Sequence, residues 1–295
     1  MKKIAVLIAL FSLIMAPLAA ETDTVKKTFT LTGEGQPHLE FVDVDGNVEI
    51  RVHDKAEIKF EFTKELKGNP TDDQRDYFQK IEPKITHEGN SVKIKIYYPK
   101  RKISFSSIFK SGKIDTNTVL LVPKSIDSKI KLVDGNIDAK GMEGELSFHT
   151  VDGNCLVNEC KGKIKAGTVD GHITIDDMEG VVEAKAVDGD VMVSGILEGI
   201  VFKSVDGDAT FRLDKGSQLK GDCAFNMVDG DIDISIPADL AFNFNARTFD
   251  GTIDMGVELD SVTLKKKNKL EGKKGSSDYT IEIHAVDGDI TIKEI

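Results

Sequence analysis

A tripeptide that returns at a fixed interval constrains this chain more than any other feature. Val-Asp-Gly recurs five times at steps of 18 residues and once more 23 residues later. The copies begin at Val133, Val151, Val169, Val187, Val205 and Val228. Such a period is an internal repeat, and a repeat of this length is a small unit that buries its apolar side chains only against its neighbours.

Each unit carries two short alternations of apolar and polar residues, which predict two short strands. In the first unit, Ile137 and Ala139 follow the tripeptide, and Leu146 and Phe148 precede the next one. Glycine supplies the positive φ that a tight corner needs, and aspartate can accept backbone N–H bonds there. Units stacked about 4.8 Å apart would pair their strands. The sequence predicts an all-β fold, a flattened parallel β-solenoid with turns of about 18 residues.

A meander of antiparallel hairpins is the alternative architecture, because Asp-Gly is also a favoured hairpin turn. Hairpins need no constant period, however, and the second corner of each unit is less regular than the first. Both features favour the solenoid.

The rest of the chain divides around this array. Lys2 and Lys3, an apolar run and small residues ending at Ala20 predict a signal peptide over residues 1–20. Residues 21–125 form a predicted N-terminal β region, and residues 126–295 form the repeat array. A tripeptide at residues 44–46 predicts that the array continues into the N-terminal region. Thr71 and Gln74 form a capping-box pattern, which predicts one short helix near residues 71–82.

Two basic segments interrupt the pattern. Residues 99–113 mix lysine and arginine with apolar side chains, and the segment either packs on the body or forms an exposed patch for a membrane or partner. The predicted contact residues are Ile103, Phe105, Ile108 and Phe109. Six lysines lie between Lys265 and Lys274, where glycine and serine predict a solvated loop.

Charge and composition limit the classes of function that the chain can have. The net charge is −11, and it becomes −13 without Lys2 and Lys3. An acidic chain without tryptophan is a poor partner for nucleic acid. No apolar run after the leader approaches the about 18 residues of a membrane span. We expect an exported protein, periplasmic or secreted to the cell surface, without a transmembrane segment.

Three cysteines, Cys155, Cys160 and Cys223, occupy positions where other units carry apolar residues. We expect buried free thiols. A Cys155–Cys160 disulfide is the alternative.

Stacking would align one aspartate from each corner into a row of Asp134, Asp152, Asp170, Asp188 and Asp206. Asp190 and Asp208 add carboxylates beside it. Calcium bound between the carboxylates is one interpretation, and local hydrogen bonding with solvent screening is the favoured one. No other cofactor is predicted.

Catalysis finds little support, because no histidine stands at nucleophile–base spacing. The chain also ends directly after the strand that contains Thr291. That predicts an open edge, available for self-association or for an envelope protein or glycan.

The phrase Val-Asp-Gly-x-Ile-x-Ile, with a strand and proline turn at residues 119–124 before it, resembles the "putative adhesin" family of bacterial β-strand-repeat proteins. The resemblance spans roughly residues 38–295 and implies a β-solenoid at the cell envelope. We therefore expect a non-enzymatic structural or binding protein. A polysaccharide lyase or hydrolase of β-helix type, or an envelope-stress or assembly factor, is the alternative.

Overall fold

A computed structural model describes residues 20–100 and 112–295. The described residues form an all-β fold with one short helix, as predicted, and their strands join in one 23-stranded sheet. The elements are β1 (Glu21–Thr30), β2 (His38–Val42), β3 (Asn47–His53), β4 (Glu57–Lys67), α1 (Asp72–Gln79), β5 (Glu82–Glu88), β6 (Ser91–Tyr97), β7 (Lys113–Pro123), β8 (Asp127–Lys131), β9 (Ile137–Lys140), β10 (Glu143–His149), β11 (Cys155–Asn158), β12 (Lys161–Gly167), β13 (Ile173–Lys185), β14 (Val191–Ser204), β15 (Ala209–Leu213), β16 (Cys223–Asp229), β17 (Ile232–Ile236), β18 (Phe242–Asp250), β19 (Ile253–Gly256), β20 (Ser261–Lys266), β21 (Lys269–Lys274), β22 (Thr280–Asp287) and β23 (Ile290–Glu294).

Equivalent residues of successive units pair in parallel register. Cys155 lies between Ile137 and Ile173, and Ile173 pairs with Val191. These four side chains are at most 1% exposed. The apolar positions therefore form continuous columns, because each unit covers the inward-facing residues of the one before it.

The array begins in the N-terminal region. β2 and β3 supply the first turn, and Asp45 bridges Asp134 of the next turn in the stack. The later strands β6 and β7 pair in parallel with β2 and β3 on one side, and the chain continues on the other side of this turn at β8 and β9. The elements between β3 and β8 cover the open end: β4 pairs antiparallel with both β1 and β7, and β5 pairs antiparallel with β6.

The helix α1 is shorter than predicted but begins where the capping box places it. Thr71 accepts a hydrogen bond from the Gln74 N–H at 3.2 Å, and the Gln74 side chain accepts one from the Thr71 N–H at 2.8 Å. Past the helix C-terminus, the buried Lys64 ammonium donates to the carbonyls of Phe78 and Ile81 at 2.8 and 3.0 Å. These bonds hold both ends of α1 and fix it on β4.

The last two turns are exchanged relative to their order in the chain. β22 lies between β16 and β18, and β23 lies between β17 and β19. The expected open edge at Thr291 is therefore wrong, because Thr291 pairs with Asp233 on one side and Asp254 on the other. The final segment inserts into the stack, and the turn made by β18 and β19 lies outside it.

The lysine-rich stretch is a hairpin and not the loop that was expected. β20 pairs antiparallel with β21, and β21 pairs antiparallel with β18. The predicted parallel pairing is present between the repeats, but the sheet as a whole is mixed, because antiparallel pairs occur at both ends. The reversal has a physical reason: β21 covers an edge strand that would otherwise present unpaired backbone groups.

Candidate interaction surface along the Val-Asp-Gly corners

The Val-Asp-Gly corners continue the backbone ladder from turn to turn. The Asp152 N–H donates to the Val133 carbonyl at 2.7 Å, and the Gly135 N–H donates to the Asp152 carbonyl at 2.9 Å. Parallel bridges join the aspartates in the order Asp45, Asp134, Asp152, Asp170, Asp188 and Asp206. The corners therefore form a straight ridge along one edge of the stack.

Close backbone approach makes glycine necessary at this ridge. Gly171 has φ of +140°, and a Cβ built there would lie 2.3 Å from the Gly153 carbonyl oxygen. Each glycine of the ridge stacks on the next one in this way, so a side chain would collide with the backbone of a neighbouring turn.

The residue after each glycine supplies a second ladder, which the sequence reasoning missed. The Asn154 side chain accepts a hydrogen bond from the His172 N–H at 2.9 Å, and His172 Nδ1 accepts one from the Asp190 N–H at 3.0 Å. His172 therefore carries its proton on Nε2 when it is neutral. The ladder runs through Asn47, Asn136, Asn154, His172, Asp190, Asp208, Asp231, Asp289 and Thr252. The sequence does contain a sign of this ladder: nearly every residue directly after a corner glycine has a side chain that accepts hydrogen bonds.

The ladder also explains the extra carboxylates at Asp190 and Asp208. One oxygen of Asp190 accepts the Asp208 N–H, and one oxygen of Asp208 accepts the Asp231 N–H, both at 3.0 Å. These carboxylates therefore satisfy backbone donors between turns.

The row of corner aspartates faces solvent. Asp134, Asp152, Asp170, Asp188 and Asp206 are exposed. Their side chains form no hydrogen bond or ion pair in the described part of the chain. Within residues 20–100 and 112–295, no three His, Cys, Asp or Glu side chains are grouped to hold a metal ion. The aligned row is present, and calcium binding to it stays a prediction.

A stripe of exposed apolar side chains runs beside these aspartates. The valine of each corner is 38–50% exposed, although valine is a residue that proteins usually bury. In stacking order the stripe consists of Val44, Val133, Val151, Val169, Val187, Val205, Val228, Val286 and Phe249. We call these nine residues the corner stripe. A continuous exposed apolar patch on a folded protein commonly marks an interaction site.

The first corner of the stack contains a buried polar cluster. Asp43 Oδ1 accepts hydrogen bonds from the Val44 N–H and the Tyr98 hydroxyl, both at 2.7 Å. Burial raises the pKa of Asp43 to about 6 and also raises the pKa of Tyr98. Asp43 Oδ2 is buried without a hydrogen-bond partner in the described residues. Tyr98 directly follows β6, so the cluster joins the first corner to the end of that strand.

A family comparison accounts for most of the chain. The model of the Toastrack DUF4097 family matches residues 38–293. The chain belongs to this family. No curated protein matches it.

Three solved structures are similar to this Toastrack chain. A "putative adhesin" from Bacteroides fragilis NCTC 9343 is 11% identical, with 92% of this chain and 97% of that chain covered and a TM-score of 0.44. A "putative lipid binding protein" from Parabacteroides distasonis ATCC 8503 is 12% identical, with 92% and 97% covered and a TM-score of 0.40. A "putative cell adhesion protein" from Clostridium sporogenes ATCC 15579 is 15% identical, with 93% and 100% covered and a TM-score of 0.28. Identities and TM-scores this low say nothing about function.

The structure describes one of the five predicted contact residues, Thr291. Ile103, Phe105, Ile108 and Phe109 fall outside the described residues, as does nearly all of the predicted signal peptide. Thr291 lies within the sheet and not at its edge. Of the residues singled out from the sequence, those of the Val-Asp-Gly corners and the neighbouring Asp190 and Asp208 belong to the surface described above.

The cysteines of this Toastrack chain are free and buried. Burial raises the pKa values of Cys155 and Cys223 to about 12, so both thiols are protonated at neutral pH. A protonated, enclosed thiol is a poor nucleophile. The three cysteines pack as small apolar residues, as expected.

His149, which has a serine hydroxyl beside it, packs against the next turn of the stack. Ser147 Oγ lies 3.4 Å from His149 Nδ1. The His149 ring covers Gly167 of the next turn, where an added Cβ would lie 2.9 Å from the ring. Burial is the main cause that lowers the pKa of His149.

None of the helices in the described residues has the length and apolar character to cross a bilayer.

Proposed function

We propose that this chain is a non-enzymatic, adhesin-like binding module of the cell envelope. In this proposal a flattened solenoid of parallel turns acts as a rigid scaffold, and the corner stripe is the surface that contacts a partner. The predicted signal peptide supports export, which places the scaffold in the periplasm or at the cell surface.

One observation carries the proposal: the corner stripe is apolar and exposed along the whole stack. Sterics explain the glycine of each corner, because a side chain would strike the neighbouring turn. They do not explain the valine, whose side chain is about half in solvent. A polar side chain would fit the same space, so a partner surface accounts better for a recurring apolar one.

The partner that fits is a protein with apolar side chains flanked by basic ones. Apolar side chains of the partner would cover the valines, and its basic residues would face the exposed aspartates beside them. A glycan fits less well, since the described stripe offers one aromatic ring, that of Phe249. Nucleic acid remains disfavoured by the acidic charge.

Photo-crosslinking in intact cells tests the proposal. A photoreactive phenylalanine analogue at Val169, which is 45% exposed, would lie in the middle of the corner stripe. The control position is Met192, which is 54% exposed on a strand face. We expect an adduct of defined mass from position 169 and none from position 192. Changing Asp152, Asp170 and Asp188 to asparagine should weaken the adduct, because the flanking charge is removed.

Two results would contradict the proposed function. Equal adducts from both positions would mean that the stripe has no special role. No adduct from position 169, in cells that export the folded protein, would mean that the stripe is not an interface.

A further inference from the structure

The corner at the C-terminal end of the stack differs from all the others. Its apolar residue is Phe249, which is 84% exposed, whereas each valine of the corner stripe is at most 50% exposed. Phe249 is the one exposed phenylalanine in residues 20–100 and 112–295. An aromatic ring this free of contacts stabilises no part of the described fold and carries a hydration penalty.

The tip of the β20–β21 hairpin lies against this corner. The Thr248 N–H donates to the Asn268 carbonyl, and the Ile253 N–H donates to the Lys267 carbonyl, both at 3.1 Å. Thr248 and Ile253 flank Phe249 in the sequence, so these two bonds hold the hairpin tip against the corner that contains Phe249. The hairpin tip, which includes Lys267, therefore occupies the place of the next corner.

Three lysines at and next to the tip of the hairpin carry uncompensated charge, as does Lys273 nearer its base. Lys265, Lys266 and Lys267 are exposed, and none of them forms an ion pair with any residue that the structure describes. By contrast, Lys269 pairs with Glu271 at 2.8 Å, and Lys274 pairs with Glu294 at 2.7 Å. The end of an acidic molecule thus combines one exposed aromatic ring with three free cations.

Acidic residues also lie at this end, and they define the direction of approach. Asp250 and Asp287 belong to the row of corner aspartates, which extends from Phe249 away from the hairpin. A surface lying along the row would meet carboxylates. Asp254 and Glu258 are also exposed at the end itself and form no ion pair in the described residues. A surface meeting the stack end-on therefore meets these two carboxylates together with Phe249 and the hairpin lysines.

Protection of an edge strand explains only part of this arrangement. β20 pairs with β21 alone, and lysines on an edge strand commonly prevent pairing between molecules. That role needs no exposed aromatic ring beside the hairpin tip. A binding surface for anions alone would not need the ring either.

We propose that this end of the stack docks on an anionic lipid surface. Phe249 enters the boundary between headgroups and acyl chains, and Lys265, Lys266 and Lys267 contact lipid phosphates. A lipid bilayer is the partner that offers negative charge over an apolar interior, which is the complement of this end. Docking in this manner would stand the stack upright on a membrane, with Phe249 in the lipid and the valines of the corner stripe along the side of the stack. The inference concerns Phe249 and the hairpin, whereas the proposed function rests on the valines of the corner stripe.

Vesicle binding of the mature chain tests the inference. We expect co-sedimentation with vesicles of phosphatidylcholine mixed with phosphatidylglycerol, little with phosphatidylcholine alone, and release at high salt. Each lysine near an anionic surface contributes about fivefold in affinity, so a triple Lys265→Gln, Lys266→Gln, Lys267→Gln variant should bind about a hundredfold more weakly. Phe249→Val restores the residue of the other corners and should weaken binding by about fivefold.

A matched control separates local contacts from net charge. Lys129, Lys131 and Lys203 are exposed and form no ion pair within the described residues. A triple lysine-to-glutamine variant at these positions changes the net charge equally and should bind vesicles as the unmodified chain does. Melting temperatures of all variants would show that each is folded.

Tryptophan fluorescence gives a direct readout of insertion, because the chain contains no tryptophan. Phe249→Trp should shift its emission to shorter wavelength on anionic vesicles, and brominated lipids should quench it. Val133→Trp, at the same place of a distant corner, should do neither.

Absence of binding to anionic vesicles at low salt would overturn the inference. So would an equal loss in the control triple variant, or an emission shift at position 133 without one at position 249. Self-association that Phe249→Val abolishes, without vesicle binding, would assign this end to a second copy of the chain instead.

Discussion

Replacing Gly171 by alanine tests whether the corners need glycine for steric reasons. Gly171 has φ of +140°, which costs a residue with a side chain about 1–3 kcal/mol. The new Cβ would lie 2.3 Å from the Gly153 carbonyl oxygen, and that oxygen accepts a hydrogen bond from the Thr168 hydroxyl at 3.2 Å. Because the carbonyl is held in the stack, overpacking adds about 1–3 kcal/mol. We expect a total loss of roughly 2–6 kcal/mol, a large share of the about 5–15 kcal/mol that stabilises a typical domain.

Gly199→Ala is the matched control. Gly199 is also buried in the array, but its φ is not positive, and an added Cβ would lie 3.9 Å from Val181 Cγ1, an ordinary contact. Its effect should stay within about 0.5 kcal/mol. Urea unfolding followed by circular dichroism measures both variants. Equal midpoints for the Gly171→Ala and Gly199→Ala proteins would refute the steric argument for the corners.

Two further predictions concern the polar groups of the ridge. Because the pKa of Asp43 is raised to about 6 from an ordinary value of 3.8, its protonated form favours the fold, and stability falls as pH rises through that window. Urea unfolding at a series of pH values measures the free energy of unfolding of the unmodified chain and of Asp43→Asn. Relative to Asp43→Asn, the unmodified chain should lose up to about 3 kcal/mol between pH 4 and pH 7. The same change with pH in both proteins would contradict this. Asn154→Ala should cost about 1 kcal/mol, since the His172 N–H loses its acceptor, whereas His172→Asn keeps an acceptor and should cost less than half as much. Equal urea midpoints for these two variants would show that the ladder adds no stability.

The sequence predicts the repeat because its period sets the stacking directly. A constant step of 18 residues requires like positions to lie side by side, so the pairing of Cys155 with Ile137 and Ile173 follows from counting. The capping residues Thr71 and Gln74 are equally local, and they predict the start of α1. Features that depend on spacing within one unit are therefore accessible from sequence.

The order of the last turns is not accessible in this way. A period states which residues are equivalent, but it does not state which turn lies outermost. The insertion of β23 between β17 and β19 depends on where the chain returns after the hairpin. The irregular intervals before Phe249 and Val286 were the one sign of it. The contact between Asp43 and Tyr98 joins residues that are 55 positions apart, and no local pattern predicts it.

The two exposed features divide the surface into a side and an end. The corner stripe presents valines beside aspartates along the length of the stack, so it suits an apolar partner with basic residues. The hairpin end presents Phe249 beside three unpaired lysines, so it suits an apolar partner with acidic headgroups. Because the charges are opposite, one kind of surface cannot complement both. A module that docked by its end on an anionic membrane would leave its acidic side free for a protein partner, and variants at Phe249 and at Val169 should therefore affect the two interactions separately.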